Sequence, residues 1–233
     1  MGKNNYNLEL TPEQLSDIVA NNEVVGQGSY GIVYRIDEDT LFKFRYKDYI
    51  DCFALEDGVY NLRKLGDITE EVNSWKNIEN IINRGKGSQD IIDINKLIHM
   101  QHKIKRTQFP RGFARVNGHR VGYILPYHKN MVNLDQQMTH LNYQQKLIVI
   151  ENIRLAIEEL ISLKIYLNDL TTKNILINPQ TLEIQIIDVD EHVTVSNIAV
   201  HNFSRKTIKQ FNFIRDYLLS LESENTNDTN PEL

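Results

Sequence analysis

Apolar residues recur along this chain at two spacings, one helical and one alternating. Thr11-Pro12-Glu13-Gln14 has the form of a helix start. Thr11 caps, Pro12 suits the first turn, and Gln14 completes a capping box, with Leu10 and Leu15 placed as a hydrophobic staple. The spacing predicts a short helix that ends near Asn21-Asn22. Three short β-type runs follow: Glu23–Val25, Ile32–Ile36 and Leu41–Phe44, with Asp37-Glu38-Asp39-Thr40 as a hairpin turn. Residues 48 to 106 read as helical and irregular. Gly85-Lys86-Gly87-Ser88 is an exposed loop, and Ile94–Ile104 carries helical spacing. Gly112–Val116 and Arg120–Leu125 are strands around an Asn117-Gly118 turn.

The second half is dominated by helices. Asn142-Tyr143-Gln144-Gln145 opens one with a second capping box. Its apolar face is read as Leu147, Ile150, Ile153, Ile157, Leu160 and Ile161. A strand over Ile175–Ile177, a turn at Asn178-Pro179-Gln180 and a strand over Ile184–Ile187 come next. A last helix is predicted over Arg205–Leu221, facing inward through Ile208, Phe211, Ile214, Leu218 and Leu221. The order, strands first and helices later, predicts an α+β fold of two lobes and not a βαβ alternation.

Composition narrows the class. The chain has 233 residues, enough for one two-lobed domain, and a single cysteine, Cys52, which excludes an internal disulfide. A reducing compartment follows as the expectation. The N-terminal MGKNNYNLEL has no apolar core of a signal peptide, and Tyr6 breaks the myristoylation pattern. No run reaches the ~18 apolar residues of a membrane span. The expected location is therefore cytoplasmic, or a host cytosol if the protein is delivered there. The formal charge of -5 argues against a nucleic-acid partner. The basic cluster Lys103, Lys105, Arg106, Arg111 and Arg115 is read as a solvated face.

Four motifs carry the candidate chemistry. Gly26-Gln27-Gly28-Ser29-Tyr30-Gly31-Ile32-Val33 is a G-x-G-x-x-G-x-V segment between two strands, where glycines let backbone approach a phosphate. Lys43 stands alone in the apolar Leu41-Phe42-Lys43-Phe44. It is either an edge lysine that deters pairing or a point charge for phosphates. Asp169 and Asn174 form D-x-x-x-x-N. Asp188 ends the run Ile186-Ile187-Asp188. Asp190 follows two positions later; two of these acids with the carboxamide between them offer oxygen ligands for a divalent cation, and the third acid can orient an attacking hydroxyl.

In this order, from Gly26 to Asp190, the motifs resemble the protein-kinase-like superfamily. The resemblance implies a β-rich N-lobe over residues 23–127, with a helical insertion at about 48–92. It implies a reduced C-lobe over 128–222; the helix start at Thr11 makes residues 1–22 a helical extension, and the polar composition of 223–233 predicts a disordered tail. It implies Mg²⁺-ATP (or Mn²⁺) as cofactor. Gly26, Gly28, Gly31 and Val33 would cover the nucleotide, and Lys43 would bind its phosphates. Leu125 and Tyr127 would lie in the strand that receives adenine. Asp169 would be the catalytic aspartate, and Asn174 with Asp188 would hold the metal. Glu56 is the first choice for the carboxylate that pairs with Lys43, and Glu79 the alternative.

The chain also departs from the family pattern. Leu167-Asn168 replaces His-Arg before Asp169, and Val189-Asp190 replaces Phe-Gly after Asp188. Thr171 stands where a lysine is usual, which leaves Lys173 to reach the transferred phosphate. Little chain follows Asp190, and it lacks Ala-Pro-Glu, as in the short kinases that pathogenic bacteria secrete and other atypical minimal forms. The expected activity is γ-phosphate transfer to a protein serine or threonine. A small-molecule acceptor, a non-catalytic interaction module and a kinase triggered by a protein partner remain as alternatives. His99 and His102, three apart, are read as ordinary helix residues.

Overall fold

The computed structural model describes residues 6–28, 31–45, 94–167, 169–189, 193–194 and 200–221. They divide into two compact units. The first holds a six-stranded sheet: β1 (Leu8–Leu10), β2 (Glu23–Gly28), β3 (Gly31–Arg35), β4 (Thr40–Arg45), β5 (Gly112–Val116) and β6 (His119–Pro126). The strand order is β1-β5-β6-β4-β3-β2. All pairs are antiparallel except β1 with β5.

Helix α1 (Pro12–Asn21) forms where the sequence places it. Thr11 accepts from the Gln14 amide, and the Gln14 side chain accepts from the Thr11 amide. Such a cap contributes about 1 kcal/mol. Leu15 is its buried residue. It packs with Ile32, Tyr34, Phe42, Phe44, Val116, Val121 and Ile124 in the core of this unit. Burial of a leucine contributes on the order of 2 kcal/mol. Both residues of the β5–β6 turn have positive φ, 50° at Asn117 and 80° at Gly118. This is the conformation that Asn-Gly favours, and its twist suits a two-residue hairpin.

The second unit contains the strands β7 (Val132–Asn133), β8 (Ile165–Tyr166), β9 (Ile175–Ile177), β10 (Ile184–Ile186) and β11 (Val193–Thr194). They form a three-stranded sheet β10-β9-β7 and a pair β11-β8. Its helices are α3 (Leu134–Gln137), α4 (Tyr143–Ser162) and α5 (Val200–Ser220), and α2 (Ile94–Met100) precedes them in the chain. The Asn142–Gln145 capping box of α4 is present.

Several elements differ from their predicted form. The helix expected over Ile94–Ile104 stops at Met100 and tightens to 3₁₀ over Gln101–Lys103 before Ile104 becomes extended. Helix α4 buries Lys146, Val149, Ile153, Ala156, Ile157 and Leu160, while Leu147 points outward. The apolar run Leu147–Ile150 covers every side of the helix there, so its spacing did not define one face. Lys146 takes a core position because its Nζ donates to the Leu221 carbonyl at 2.5 Å. Helix α5 begins at Val200, earlier than expected, and Ile208 is exposed rather than facing inward. The expected helical insertion at 48–92, with its Gly85–Ser88 loop, lies outside the described residues.

Candidate functional site

The two units carry different parts of the candidate chemistry. In the first, the glycine segment spans the end of β2 and the start of β3, with Gly28 opposite Gly31. The three glycines are not equivalent. A Cβ on Gly31 would meet the Phe44 carbonyl oxygen at 1.9 Å, so close strand approach alone requires glycine there. A Cβ on Gly26 would come no nearer than 3.9 Å to Val33, and one on Gly28 would meet nothing within 4 Å. Packing among the described residues does not explain why those two positions are glycine.

Lys43 lies in β4, which is flanked by β3 and β6 and is therefore interior. The reading of Lys43 as an edge lysine is overturned by this order. Its residue is 8% exposed and stands between Val33 on β3 and Tyr123 on β6. Phe42 and Phe44 turn to the α1 side of the sheet. A lysine held out of water in a central strand is costly to keep unless its charge is used. Arg45, next on the same face, donates to the Tyr123 hydroxyl and lies over its ring. Leu125 pairs with Leu41, and the Tyr127 amide donates to the Asp39 carbonyl at 2.8 Å, which holds the end of β6 against the β3–β4 turn. Glu56 and Glu79 lie outside the described residues.

Two titratable groups sit near this end of the sheet. His128 follows Tyr127, and its Nε2 is buried with no hydrogen-bond partner among the described residues. Burial, and secondarily the charge of Arg111, lowers its pKa. Asp37 accepts from the Asp39 amide at 2.7 Å, which is the main reason its carboxyl titrates below the ordinary range.

In the second unit, the segment after β8 carries Asp169 between two buried leucines, Leu167 and Leu170. The leucines anchor the loop and Asp169 projects outward. Asn174 Nδ2 donates to the Asp169 carbonyl at 2.9 Å and lies 3.4 Å from its carboxylate. The Asn174 carbonyl in turn accepts from the Ile187 amide at 2.9 Å. Asn174 therefore joins Asp169 to the residue immediately before Asp188. Of the predicted residues, Asn174 contacts Asp169 directly and reaches the chain neighbour of Asp188 through the Ile187 amide.

Asp188 has φ of 59°, a left-handed conformation that a non-glycine residue adopts at a cost of order 1 kcal/mol. Aspartate tolerates it better than most residues. Val189 behind it is buried, so the turn seats Val189 in the core and leaves the Asp188 side exposed. Lys173 is exposed, and its carbonyl accepts from Asn133 Nδ2 at 2.6 Å. The neighbouring Thr172 hydroxyl donates to Asp135 at 2.8 Å. These β7–α3 contacts carry no sequence motif and were not anticipated.

Arg106 is paired with Glu159 at 2.5 Å and Arg115 with Glu9 at 3.6 Å, so the basic cluster is partly neutralised within the fold. No group of three or more His, Cys, Asp or Glu that could hold a metal occurs among the described residues. No helix among them is long and apolar enough to cross a membrane.

No model of a known protein family matches the chain, and no curated protein matches it. Solved structures do match. The chain is similar to the crystal structure of Rad53 1-466 in complex with AMP-PNP, with a TM-score of 0.54 at 15% identity. The match covers 86% of this chain and 47% of that one, so this chain spans about half its length. The fold is protein-kinase-like. It is α+β, with a β-rich N-terminal sheet followed by a helical part, as the motif order implied.

Proposed function

We propose that this protein is a Mg²⁺-ATP-dependent phosphotransferase that moves the γ-phosphate of ATP to a hydroxyl, and that the acceptor is a protein serine or threonine. The observation that carries the reading is the Asn174 junction, which ties Asp169 to the strand end before Asp188. Phosphoryl transfer asks little covalent chemistry of a protein. It asks for positioning and for charges placed around the phosphates.

The residues present fit that demand. Mg²⁺ takes one or two protein oxygens and completes its shell with phosphate oxygens and water. Asp188 and the Asn174 side chain are a donor set of that kind. The metal, when bound, neutralises charge on the phosphates. Asp169, exposed and held by Asn174, orients the acceptor hydroxyl and takes its proton. Lys173 stands in the same loop as the cation for the transferred group. The first unit supplies Lys43 as the phosphate charge, and the lack of side chains at Gly26 and Gly28 would let a phosphate approach their backbone. Val33, Leu125 and Tyr127 are assigned to the adenine, and Glu56 to pairing with Lys43. The solved structure with AMP-PNP bound supports the nucleotide assignment.

Calorimetric titration with ATP, with and without Mg²⁺, tests the reading. Binding that strengthens with Mg²⁺ in the wild type, and loses that dependence in Asp188→Asn, is the expected result. ATP that fails to bind under either condition would remove the nucleotide reading. Comparing transfer to added proteins with transfer to a metabolite mixture decides between the acceptor classes.

A further inference from the structure

The core-facing stripe of α5 runs through Thr207, Gln210, Ile214 and Leu218, at helical spacing. Its second half is apolar, and Ile214 and Leu218 are buried as expected. Its first half is polar, although Thr207 is only 1% exposed. Polar side chains occupy a core stripe only where they find hydrogen-bond partners. The partners here lie on either side of Asp169. The Thr207 hydroxyl donates to the Leu167 carbonyl at 3.3 Å. The Gln210 Oε1 accepts from the Leu170 amide at 3.4 Å.

We infer that Thr207 and Gln210 are positioning residues for Asp169, holding the backbone on both sides of it against α5. The inference rests on the phosphotransferase reading of Asp169. Asn174 also holds this loop, through the Asp169 carbonyl. Without the α5 contacts, Leu167 and Leu170 still anchor the loop by burial. What changes is the angle at which Asp169 is presented. A displacement of about 1 Å at a reacting group is enough to cost on the order of 100-fold in rate.

The test uses the full chain and measures phosphate transfer, the KM for Mg²⁺-ATP and thermal unfolding together. Thr207→Val removes the hydroxyl at constant shape, and Gln210→Met removes the acceptor at similar length. Both are expected to lower kcat about tenfold or more while KM for Mg²⁺-ATP stays within about twofold, the pattern of an interaction needed in the transition state. Thr207→Ser and Gln210→Glu keep a hydroxyl and an acceptor and are expected to restore kcat to near the wild-type value. Faster hydrogen exchange at the Leu170 amide in Gln210→Met is expected alongside. If the wild type transfers phosphate and the Val and Met variants do so equally fast, the inference is overturned. The same holds if Ser and Glu are as impaired as Val and Met, since the loss is then one of packing. A wild type that transfers no phosphate overturns the activity reading itself, and that outcome is separate because it needs no variant. If Gln210→Met fails to fold, the Thr207 pair decides alone.

Discussion

Asn174 and Asp169 are joined twice, by a 2.9 Å hydrogen bond from the Asn174 side chain to the Asp169 backbone and by its approach to the carboxylate at 3.4 Å. The five-residue spacing that marks the motif in the sequence is the distance over which the chain turns back through a 3₁₀ segment, Thr172–Asn174, to make this contact. Asn174→Ala removes both the clamp and an oxygen ligand. We expect at least a 100-fold loss of phosphate transfer, of the size seen when one preorganised donor is deleted. The expected stability loss is about 1 kcal/mol, since the bond is exposed. Denaturant unfolding and steady-state kinetics on one preparation separate the two effects.

Lys43 gives the opposite balance. It is nearly buried in an interior strand, where a charge is costly unless it is compensated. Lys43→Met keeps the length and removes the charge. ATP affinity and transfer are expected to fall, while the melting temperature changes little. A large drop in melting temperature instead would show that the lysine serves the fold.

The glycines divide by the space around them. Gly31→Ala places a methyl at 1.9 Å from the Phe44 carbonyl oxygen, so β3 and β4 must separate. Lower thermal stability is expected, in the range of 1–3 kcal/mol for overpacking. Gly28→Ala meets nothing within 4 Å and is expected to leave the melting temperature unchanged while weakening ATP binding. Equal stability losses in both variants would contradict the division.

His128 sets a pH dependence of folding. Its pKa is lowered in the folded state because burial disfavours the charged ring, with Arg111 adding to the effect. The unfolded chain therefore takes up the proton first as pH falls. The His128 contribution is intact above the ordinary histidine pKa of about 6.5 and declines as pH falls from there toward the folded value. Urea unfolding at several pH values should show that decline in the wild type and a shallower one in His128→Phe.

Local signals were the legible part of this fold. The capping boxes at Thr11 and Asn142 and the Asn117-Gly118 turn each specify geometry within a few residues. The structure shows all three as read. The contact between Asn174 and Asp169 is local in the same sense, five residues apart. Elements whose partners are remote in sequence were not. Strand β1 has only three residues, Leu8–Leu10, and exists because it pairs in parallel with Ala114–Val116. The inward face of α4 was misread at Leu147 because apolar residues surround that turn and only packing selects among them. The interior position of Lys43 depended on sheet order, which strand alternation does not contain. Thr207 and Gln210 face contacts forty residues away, and neither belongs to a motif. A polar interruption of an otherwise apolar helical stripe was their one visible sign.

The most direct measurement is transfer of labelled γ-phosphate from Mg²⁺-ATP to the protein itself and to a generic protein substrate, with Asp169→Asn and Asp188→Asn beside the wild type. Label that appears with the wild type and vanishes in both variants is the predicted result. Absence of label in the wild type, or label that persists in both variants, would contradict the assignment of these acids to phosphoryl transfer.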